Sequence, residues 1–366
     1  MNKFSVVYVR MQIYSYRINI LRERKVDKIQ MAVKIDQTRT DQTRSDRTGI
    51  KTGGTLTYPL RFFLSKNPRI FHILLRIRTK FRLCFWKIER VFFHIVRRKR
   101  KVCVFQKKGT GGGLFATFNQ FLAGIAYADR TAQIPSIDMK SGINTYLNED
   151  EVGRVNSWEY YFEQPAGISP DEALTYPNTA IYQVGAYPIP RQDLMLFFNQ
   201  DGQLDYWRGI RKKYIRFTPA VIERFEAMKK KYSGKKILGI LVRGTDYITL
   251  KLHSHPIPPT AEQAIAKAQE VMQEKNFDAL YLATEDKGIL AKFQAAFGDN
   301  LLLPESEYFD YDYNSKKLLY EYMKDNKYKQ GLDYLVSMLF LSQCSGFITS
   351  MTSGSTGVMC LSEGFD

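Results

Sequence analysis

An arginine and an aspartate stand directly after an apolar run in the stretch LGILVRGTDYITLKLHSHPI, which covers residues 238–257. The run up to Val242 is typical of a buried strand, so Arg243 and Asp246 fall just past a strand end. The planar fork of an arginine at that place suits a diphosphate, and Asp246 can orient the arginine or cap the next segment. The alternative is a loop arginine held in a structural salt bridge.

A glycine-rich stretch, GTGGGLFATFNQ, also follows a predicted strand and opens a predicted helix. Gly111, Gly112 and Gly113 would let backbone N–H groups approach a phosphate at the positive end of that helix. The spacing is neither that of a dinucleotide-binding fingerprint nor that of a P-loop. A flexible turn is the alternative.

Two further strand ends carry polar groups. In YLATED, Glu285 and Asp286 can accept hydrogen bonds from a purine edge or a sugar hydroxyl, and an N-cap by Thr284 or Asp286 is the alternative. In TSMTSGSTGVM, hydroxyls precede a predicted helix and would form an anion pocket, or else an N-cap rich in hydroxyls. The members of this second group that we single out are Ser353, Ser355 and Thr356.

Metal chemistry is not predicted. His253 and His255 form an HxH pair, which is half of a metal site, but no third ligand follows at a useful spacing. The four cysteines form no CxxC pair, which is typical of reduced thiols in a cytosolic protein.

Strands and helices alternate from residue 102 onward, and this pattern predicts parallel sheets with crossover helices. A basic connector at 210–233 would separate two such units. The predicted strands are KVCVF, QIPSIDM, KKILGILV, FDALYLAT, NLLLP and GFITS, and the predicted helices cover 114–129, 260–275, 287–297 and 331–343.

The charge of the chain is concentrated in its first third. The net charge is +17, yet residues 1–108 hold 28 Lys or Arg and 6 Asp or Glu, so the remainder is mildly acidic. A nucleic-acid partner is therefore not predicted for the folded part. We divide the chain into a disordered or wrongly annotated extension (1–65), a basic amphipathic helix (66–101), an N-terminal α/β domain (102–232) and a C-terminal α/β nucleotide-sugar-binding domain (233–366).

The basic segment 66–101 interleaves aromatic and aliphatic residues with Arg and Lys, too densely for a transmembrane span. One interpretation is a helix lying on an anionic membrane surface. The other is a helix packed on its own domain with a solvated basic face.

Taken together, these motifs resemble the α1,6-fucosyltransferase and O-fucosyltransferase superfamily, which includes bacterial nodulation-factor fucosyltransferases. GILVRGTDYITLKLHSHPI is similar to the donor-site motif, LYLATED to the strand that ends in an acidic pair, and GFITSMTSGS to the Ser/Thr segment. The resemblance covers about residues 102–366. It implies a GT-B-like pair of Rossmann-type α/β domains that binds GDP-fucose between them, inverts at the anomeric carbon and uses no metal or other cofactor.

The resemblance also implies roles for the residues that match its motifs. Arg243 would bind the β-phosphate, with Asp246 as the remaining catalytic candidate and, with His255, as a brace for the loop. Glu285 or Asp286 would read the guanine. Ser353, Ser355 and Thr356 would hold the phosphates, and Asn119 with Gly111, Gly112 and Gly113 would face the donor. On the acceptor side, Glu159 is a candidate acid, and Trp158 and Tyr161 can stack on sugar, with core packing as the alternative.

Three positions depart from the family's pattern. Leu241 replaces a guanine-side histidine, Gly244 replaces a second arginine, and Lys251 replaces the proposed catalytic glutamate. We therefore expect a glycosyltransferase acting in bacterial surface polysaccharide synthesis (O-antigen or capsule), cytoplasmic or peripheral to the inner face of the membrane. The alternatives are a different nucleotide-sugar donor, or a degenerate homologue that binds glycan or membrane.

Overall fold

Two parallel β-sheets flanked by helices form the two halves of the structure. The computed structural model describes residues 67–96, 101–107, 112–142, 144–185, 203–249, 258–315, 317–322 and 326–365. The prediction of parallel α/β units is confirmed. The predicted extension 1–65 lies outside the described residues.

The elements within the described residues follow the alternation that the sequence predicts. The helices are α1 (Pro68–Val96), α2 (Leu114–Arg130), α3 (Pro170–Thr175), α4 (Gln203–Tyr214), α5 (Pro219–Lys231), α6 (Asp246–Thr249), α7 (Ala261–Lys275), α8 (Lys287–Phe297), α9 (Lys327–Leu341) and α10 (Ser353–Leu361). The strands are β1 (Lys101–Gln106), β2 (Gln133–Asp138), β3 (Ala180–Gln183), β4 (Ile237–Leu241), β5 (Ala279–Ala283), β6 (Leu301–Leu302) and β7 (Gly346–Thr349).

The sheet of the first unit has the order β2-β1-β3, with parallel pairing throughout its described strands. Helix α2 covers the sheet because Phe115, Phe118, Leu122 and Ile125 recur at helical spacing and are all buried. Strand β3 was not predicted, since AIYQ is short and only partly buried.

The sheet of the second unit has the order β6-β5-β4-β7 and is also parallel. The chain leaves β4 toward β5 on one side and later adds β7 on the other, so the order reverses at β4. Strands β4 and β5 are buried along their whole length, which their unbroken apolar runs predict. Helix α9 begins at Lys327, one turn earlier than predicted, because Asn326 accepts a hydrogen bond from the Lys329 N–H as its N-cap.

Helix α1 packs on the first unit through one side. The guanidinium of Arg130 lies 4.4 Å from the centroid of the Trp86 ring, and the ring of Tyr206 lies 5.1 Å from it. Arg130 also pairs with Glu89 at 3.0 Å. The described helices include none whose length and hydrophobicity would carry it across a bilayer.

Helix α10 joins the two units, because it follows β7 of the second sheet and packs on α2 of the first. The ring of Phe115 on α2 packs so closely against the backbone of α10 that a Cβ on Gly357 would lie 1.9 Å from its Cδ1. Two arginines of α4 hold the end of α10: Arg208 donates to Ser362 Oγ at 2.8 Å and Arg211 to the Leu361 carbonyl at 2.6 Å.

We predict that Gly357→Ala lowers the free energy of unfolding by about 1–3 kcal/mol, because the added methyl overpacks the contact with Phe115. The measurement is urea denaturation followed by circular dichroism. Gly209→Ala is the matched control, since Gly209 is an exposed helical glycine with no atom within 4 Å of the new Cβ. Removing a helical glycine there stabilises by up to about 1 kcal/mol, so equal effects of the two substitutions would contradict the close α10–α2 contact.

Candidate functional site

The reversal of strand order brings two loops together at one edge of the second sheet. Leu241 pairs with Thr349, so the loops that leave β4 and β7 begin side by side. In open α/β sheets the crevice at such a reversal is where ligands bind. The arginine loop (Val242–Thr245) and the N-terminus of α10 form this crevice here.

Arg243 is the charged group at the centre of the crevice. Its Nε lies 3.5 Å from Glu285 Oε1, its Nη2 lies 3.6 Å from Asp246 Oδ1, and its guanidinium carbon lies 4.7 Å from the centroid of the Tyr247 ring. The side chain is only 16% exposed, and its Nε makes no hydrogen bond with any described residue. The two carboxylates therefore balance the charge without occupying its donors in well-directed hydrogen bonds.

The guanidinium is a permanent cation. Burial opposes its charge, but the carboxylate of Glu285, followed by Tyr334, Tyr247 and Asp246, outweighs that effect, so the pKa of Arg243 is raised above its usual value. A buried cation with unused donors is a strong attractor for an anion that enters the crevice.

Glu285 fixes the shape of the arginine loop. Its Oε1 accepts hydrogen bonds from the Gly244 N–H at 3.1 Å and from Thr245 Oγ1 at 3.0 Å. Thr245 is fully buried and has φ +51°, a left-handed conformation that is unfavourable for a β-branched residue. Strain of this kind costs on the order of 1–3 kcal/mol and persists where surrounding contacts enforce it. The bonds from Glu285 are such contacts, and the strained residue is two positions from Arg243.

Asp286 does not face the crevice. Its carboxylate caps α8 by accepting the Ile289 N–H at 2.9 Å, it also accepts from the Tyr313 hydroxyl, and the residue is 1% exposed. Asp286 is thus the N-cap of α8, which was the alternative to a guanine contact. To bind a guanine, its carboxylate would have to give up the hydrogen bond from the Ile289 N–H. Asp246 Oδ1 lies 3.6 Å from Arg243 Nη2 and 3.1 Å from Thr245 Oγ1, whose one hydroxyl proton it shares with Glu285. The bracing role of Asp246 stays a prediction.

Gly244 has a structural reason to be glycine. A Cβ there would lie 2.7 Å from Asp286 Oδ2 and 2.9 Å from Ile289 Cδ1. An arginine at this position would therefore have no room in this chain.

The hydroxyls at the start of α10 serve the helix end itself. Thr352 and Ser355 form a capping box, in which Thr352 Oγ1 accepts the Ser355 N–H at 3.1 Å and Ser355 Oγ accepts the Thr352 N–H at 2.8 Å. Ser355 and Thr356 are buried, and their contact with the phosphates stays a prediction. Ser353 at the first helical position is half-buried and stays at the edge of the crevice.

Tyr334 completes the crevice, although no sequence motif points to it. A Cβ on Gly354 would lie 2.7 Å from its hydroxyl, and the ring also lies near enough to Arg243 to affect the pKa of that residue. Burial raises the pKa of Tyr334 to about 12, so its hydroxyl remains a proton donor. Arg243, the Tyr334 hydroxyl and the positive end of α10 thus converge on one place.

The first unit contributes the opposite wall. Gly113 is the N-cap of α2 without a side-chain bond, Gly112 has φ +97°, and the Leu114 N–H donates to the Tyr146 hydroxyl at 2.8 Å. Asn119 donates to the Ser353 carbonyl at 3.1 Å and so links the two units, while its Oδ1 is buried without a hydrogen-bond partner among the described residues. Its contact with the sugar donor stays a prediction. Gly111 and His255 lie outside the described residues.

The aromatic acceptor candidates belong to the core. Trp158 is 2% exposed, stacks on Phe162 at 4.4 Å and donates its indole N–H to the Glu163 carbonyl. Tyr161 is also buried and donates to the Tyr328 carbonyl at 3.1 Å. Core packing, the alternative in the sequence analysis, describes both residues, so neither can stack on a sugar. Glu159 is exposed and accepts from Gln164 at 2.7 Å.

Among the described residues, no three His, Cys, Asp or Glu side chains are grouped so that they could hold a metal ion. His253 and His255 are not among those residues.

We predict that Gly244→Ala lowers the melting temperature and reduces nucleotide binding, because the new methyl collides with Asp286 and displaces the arginine loop. The cost in unfolding free energy is about 1–3 kcal/mol, measured by thermal unfolding. Gly209→Ala, which replaces a helical glycine with no atom within 4 Å of its new Cβ, is the control and should not lower the stability. A Gly244→Ala protein as stable as Gly209→Ala would refute the contact with Asp286.

Comparison with known proteins gave matches among solved structures only. No protein-family model matches the chain, and no curated protein sequence matches it significantly. The chain is similar to the alpha-1,6-fucosyltransferase NodZ co-crystallised with GDP, with 14% identity, 71% of this chain and 92% of that chain covered, and a TM-score of 0.45. It is also similar to fucosyltransferase NodZ from Bradyrhizobium, with 15% identity, 71% and 93% covered, and a TM-score of 0.44.

A further similar structure is POFUT1 in complex with GDP, with 11% identity, 72% of this chain and 95% of that chain covered, and a TM-score of 0.44. Each of these three structures aligns with more than two thirds of this chain, at a sequence identity of 15% or less.

Proposed function

We propose that the protein is a glycosyltransferase that transfers fucose from GDP-fucose to a glycan acceptor. The observation that supports this most is Arg243, a buried cation whose donors are not saturated, at the strand-order reversal and beside the N-terminus of α10. The family resemblance of the arginine loop, found in the sequence, supplies the identity of the donor.

The proposed chemistry breaks the bond between the anomeric carbon of fucose and an oxygen of the β-phosphate. An acceptor hydroxyl attacks from the opposite face, so the configuration inverts, and GDP leaves with an added negative charge. Arg243, the Tyr334 hydroxyl and the dipole of α10 would stabilise that charge, a contribution typically worth several kcal/mol. Since the chain itself supplies this positive charge, we propose that the reaction needs no metal.

The acceptor proton has no dedicated base among the described groups of the crevice. Asp246 is engaged by Arg243 and Thr245, and Lys251 lies outside the described residues. A general base is typically worth about 10²–10⁴-fold. We therefore propose a dissociative transfer, in which departure of GDP runs ahead of proton loss and Asp246 takes the proton late.

A different nucleotide-sugar is the second candidate donor, and the burial of Asp286 favours it. The two carboxylates expected near the guanine serve the arginine loop and the cap of α8, and Leu241 cannot hydrogen-bond a base. Thermal-shift titration with GDP, UDP and CDP separates the candidates, because only the matching base should raise the melting temperature.

For the biological setting we propose bacterial surface polysaccharide synthesis, O-antigen or capsule, at the inner face of the membrane. The excess of basic residues in 1–108 supports a location at an anionic surface. A degenerate homologue that only binds glycan is the remaining alternative, and measured transfer would exclude it.

We predict that Arg243→Ala lowers the transfer of radiolabelled fucose from GDP-fucose by about 10²–10³-fold or more, since it removes the main charge at the leaving group. Arg243→Lys should recover only part of the activity, because an ammonium cannot form the bidentate contact. The measurement is initial rate together with GDP binding by thermal shift.

The matched control is Arg224→Ala, which removes another partly buried arginine, paired with Asp333 at 2.7 Å. It should lower stability yet keep GDP binding. Wild-type turnover in Arg243→Ala would remove its assigned role, and no response to any nucleotide would refute the proposed donor site.

A further inference from the structure

Helix α1 presents an apolar stripe to solvent on the side away from the domain. The stripe consists of Ile77, Phe81, Phe85, Ile88, Phe92 and Ile95, and all six are exposed, Phe81 by 74% and Ile95 by 73%. At about 100° per residue, these positions share one side of the helix, opposite Trp86 and the buried Thr79. The side of α1 that packs on the first unit therefore does not include the apolar stripe.

Basic residues run along one edge of the stripe. Arg76, Lys80 and Lys87 lie beside it at helical spacing and are exposed. Long basic side chains at the edge of an apolar face can place their charges at lipid phosphates while the apolar face enters the acyl boundary.

We infer that the apolar stripe of α1 is a docking surface for an anionic lipid bilayer, on which the helix lies in the plane of the interface. This inference rests on the peripheral location in the proposed function and not on the transfer chemistry.

Charge complementarity favours lipid over a second copy of the chain. The one acidic residue of α1, Glu89, is already paired with Arg130 of its own chain. Two α1 helices side by side would bring their basic rows together without carboxylates to pair them, whereas helix pairs use opposite charges beside the apolar seam.

The same reasoning disfavours coverage by the N-terminal extension. Residues 1–66 hold 14 Lys or Arg and 5 Asp or Glu, so they are themselves basic. An anionic surface is the occupant that meets both the apolar stripe and its basic edge.

Cys84, next to Phe85, allows a direct test on the full-length protein. It is exposed, whereas Cys103, Cys344 and Cys360 are buried, so a maleimide that carries an environment-sensitive fluorophore should label Cys84 alone. Burial raises the pKa of the Cys360 thiol to about 12, which further lowers its reactivity.

With vesicles of phosphatidylcholine and phosphatidylglycerol, we expect the fluorescence of the label to shift to the blue, and the shift to weaken at high salt. Phosphatidylcholine vesicles alone should give a much smaller shift. The absence of any shift with anionic vesicles would overturn the inference.

Co-sedimentation of the unlabelled protein tests the stripe itself. The triple variant Phe81→Ser/Phe85→Ser/Ile88→Ser should bind anionic vesicles about 10²-fold more weakly. The control Leu174→Ser/Ile181→Ser/Ile222→Ser changes three similarly exposed apolar residues elsewhere and should bind like the wild type. Equal binding by both variants would overturn the inference.

Two further outcomes would assign the stripe to another occupant and overturn the inference. A blue-shifted label before lipid is added would mean that another part of this chain covers the stripe. Oxidative Cys84–Cys84 cross-linking with concentration-dependent dimerisation would mean that a second copy covers it. GDP binding by the stripe variant, measured by thermal shift, reports separately on the proposed donor site.

Discussion

The buried positive charge of Arg243 is the constraint on which the rest of the candidate site depends. An isolated guanidinium taken out of water is costly, so the chain must bring carboxylates to it. Glu285 comes from the end of the neighbouring strand, and Asp246 is the first residue of α6, directly after the arginine loop. The hydrogen bonds that Glu285 accepts then fix Gly244 and Thr245, including the left-handed backbone of Thr245. The loop is shaped before any ligand arrives, which is the kind of preorganisation that stabilises charge in a transition state.

The sequence predicted the elements well because their signals are local. Unbroken apolar runs identified β4 and β5, and the caps at Thr260 and Asp286 fall where the predicted helices begin. The meeting of the arginine loop with the Ser/Thr segment could also be predicted, since carboxyl ends of adjacent parallel strands lie at one edge. The short strand β3 lacked such a signal.

The assignment of individual site residues was harder, because the same residue types serve ligands and structure. Asp286 and Ser355 satisfy helix ends, and a free helix end has unpaired N–H groups that compete for any nearby acceptor. Trp158 and Tyr161 fill the core of the first unit, where their area contributes more than it would in a shallow sugar site. Tyr334 was missed because it reaches the crevice from α9, nearly a hundred residues from Arg243 in the sequence, and no local pattern encodes that distance.

The close packing around Gly244 links the side chains that positions 244 and 286 can carry. A second arginine in the loop would need the space that Asp286 occupies, and Asp286 is the N-cap of α8. A larger residue at 244 strains the loop, and a residue at 286 that makes more room must still be one that can cap the helix, such as Ser. In this chain, a second arginine in the loop is thus compatible only with a different residue at 286.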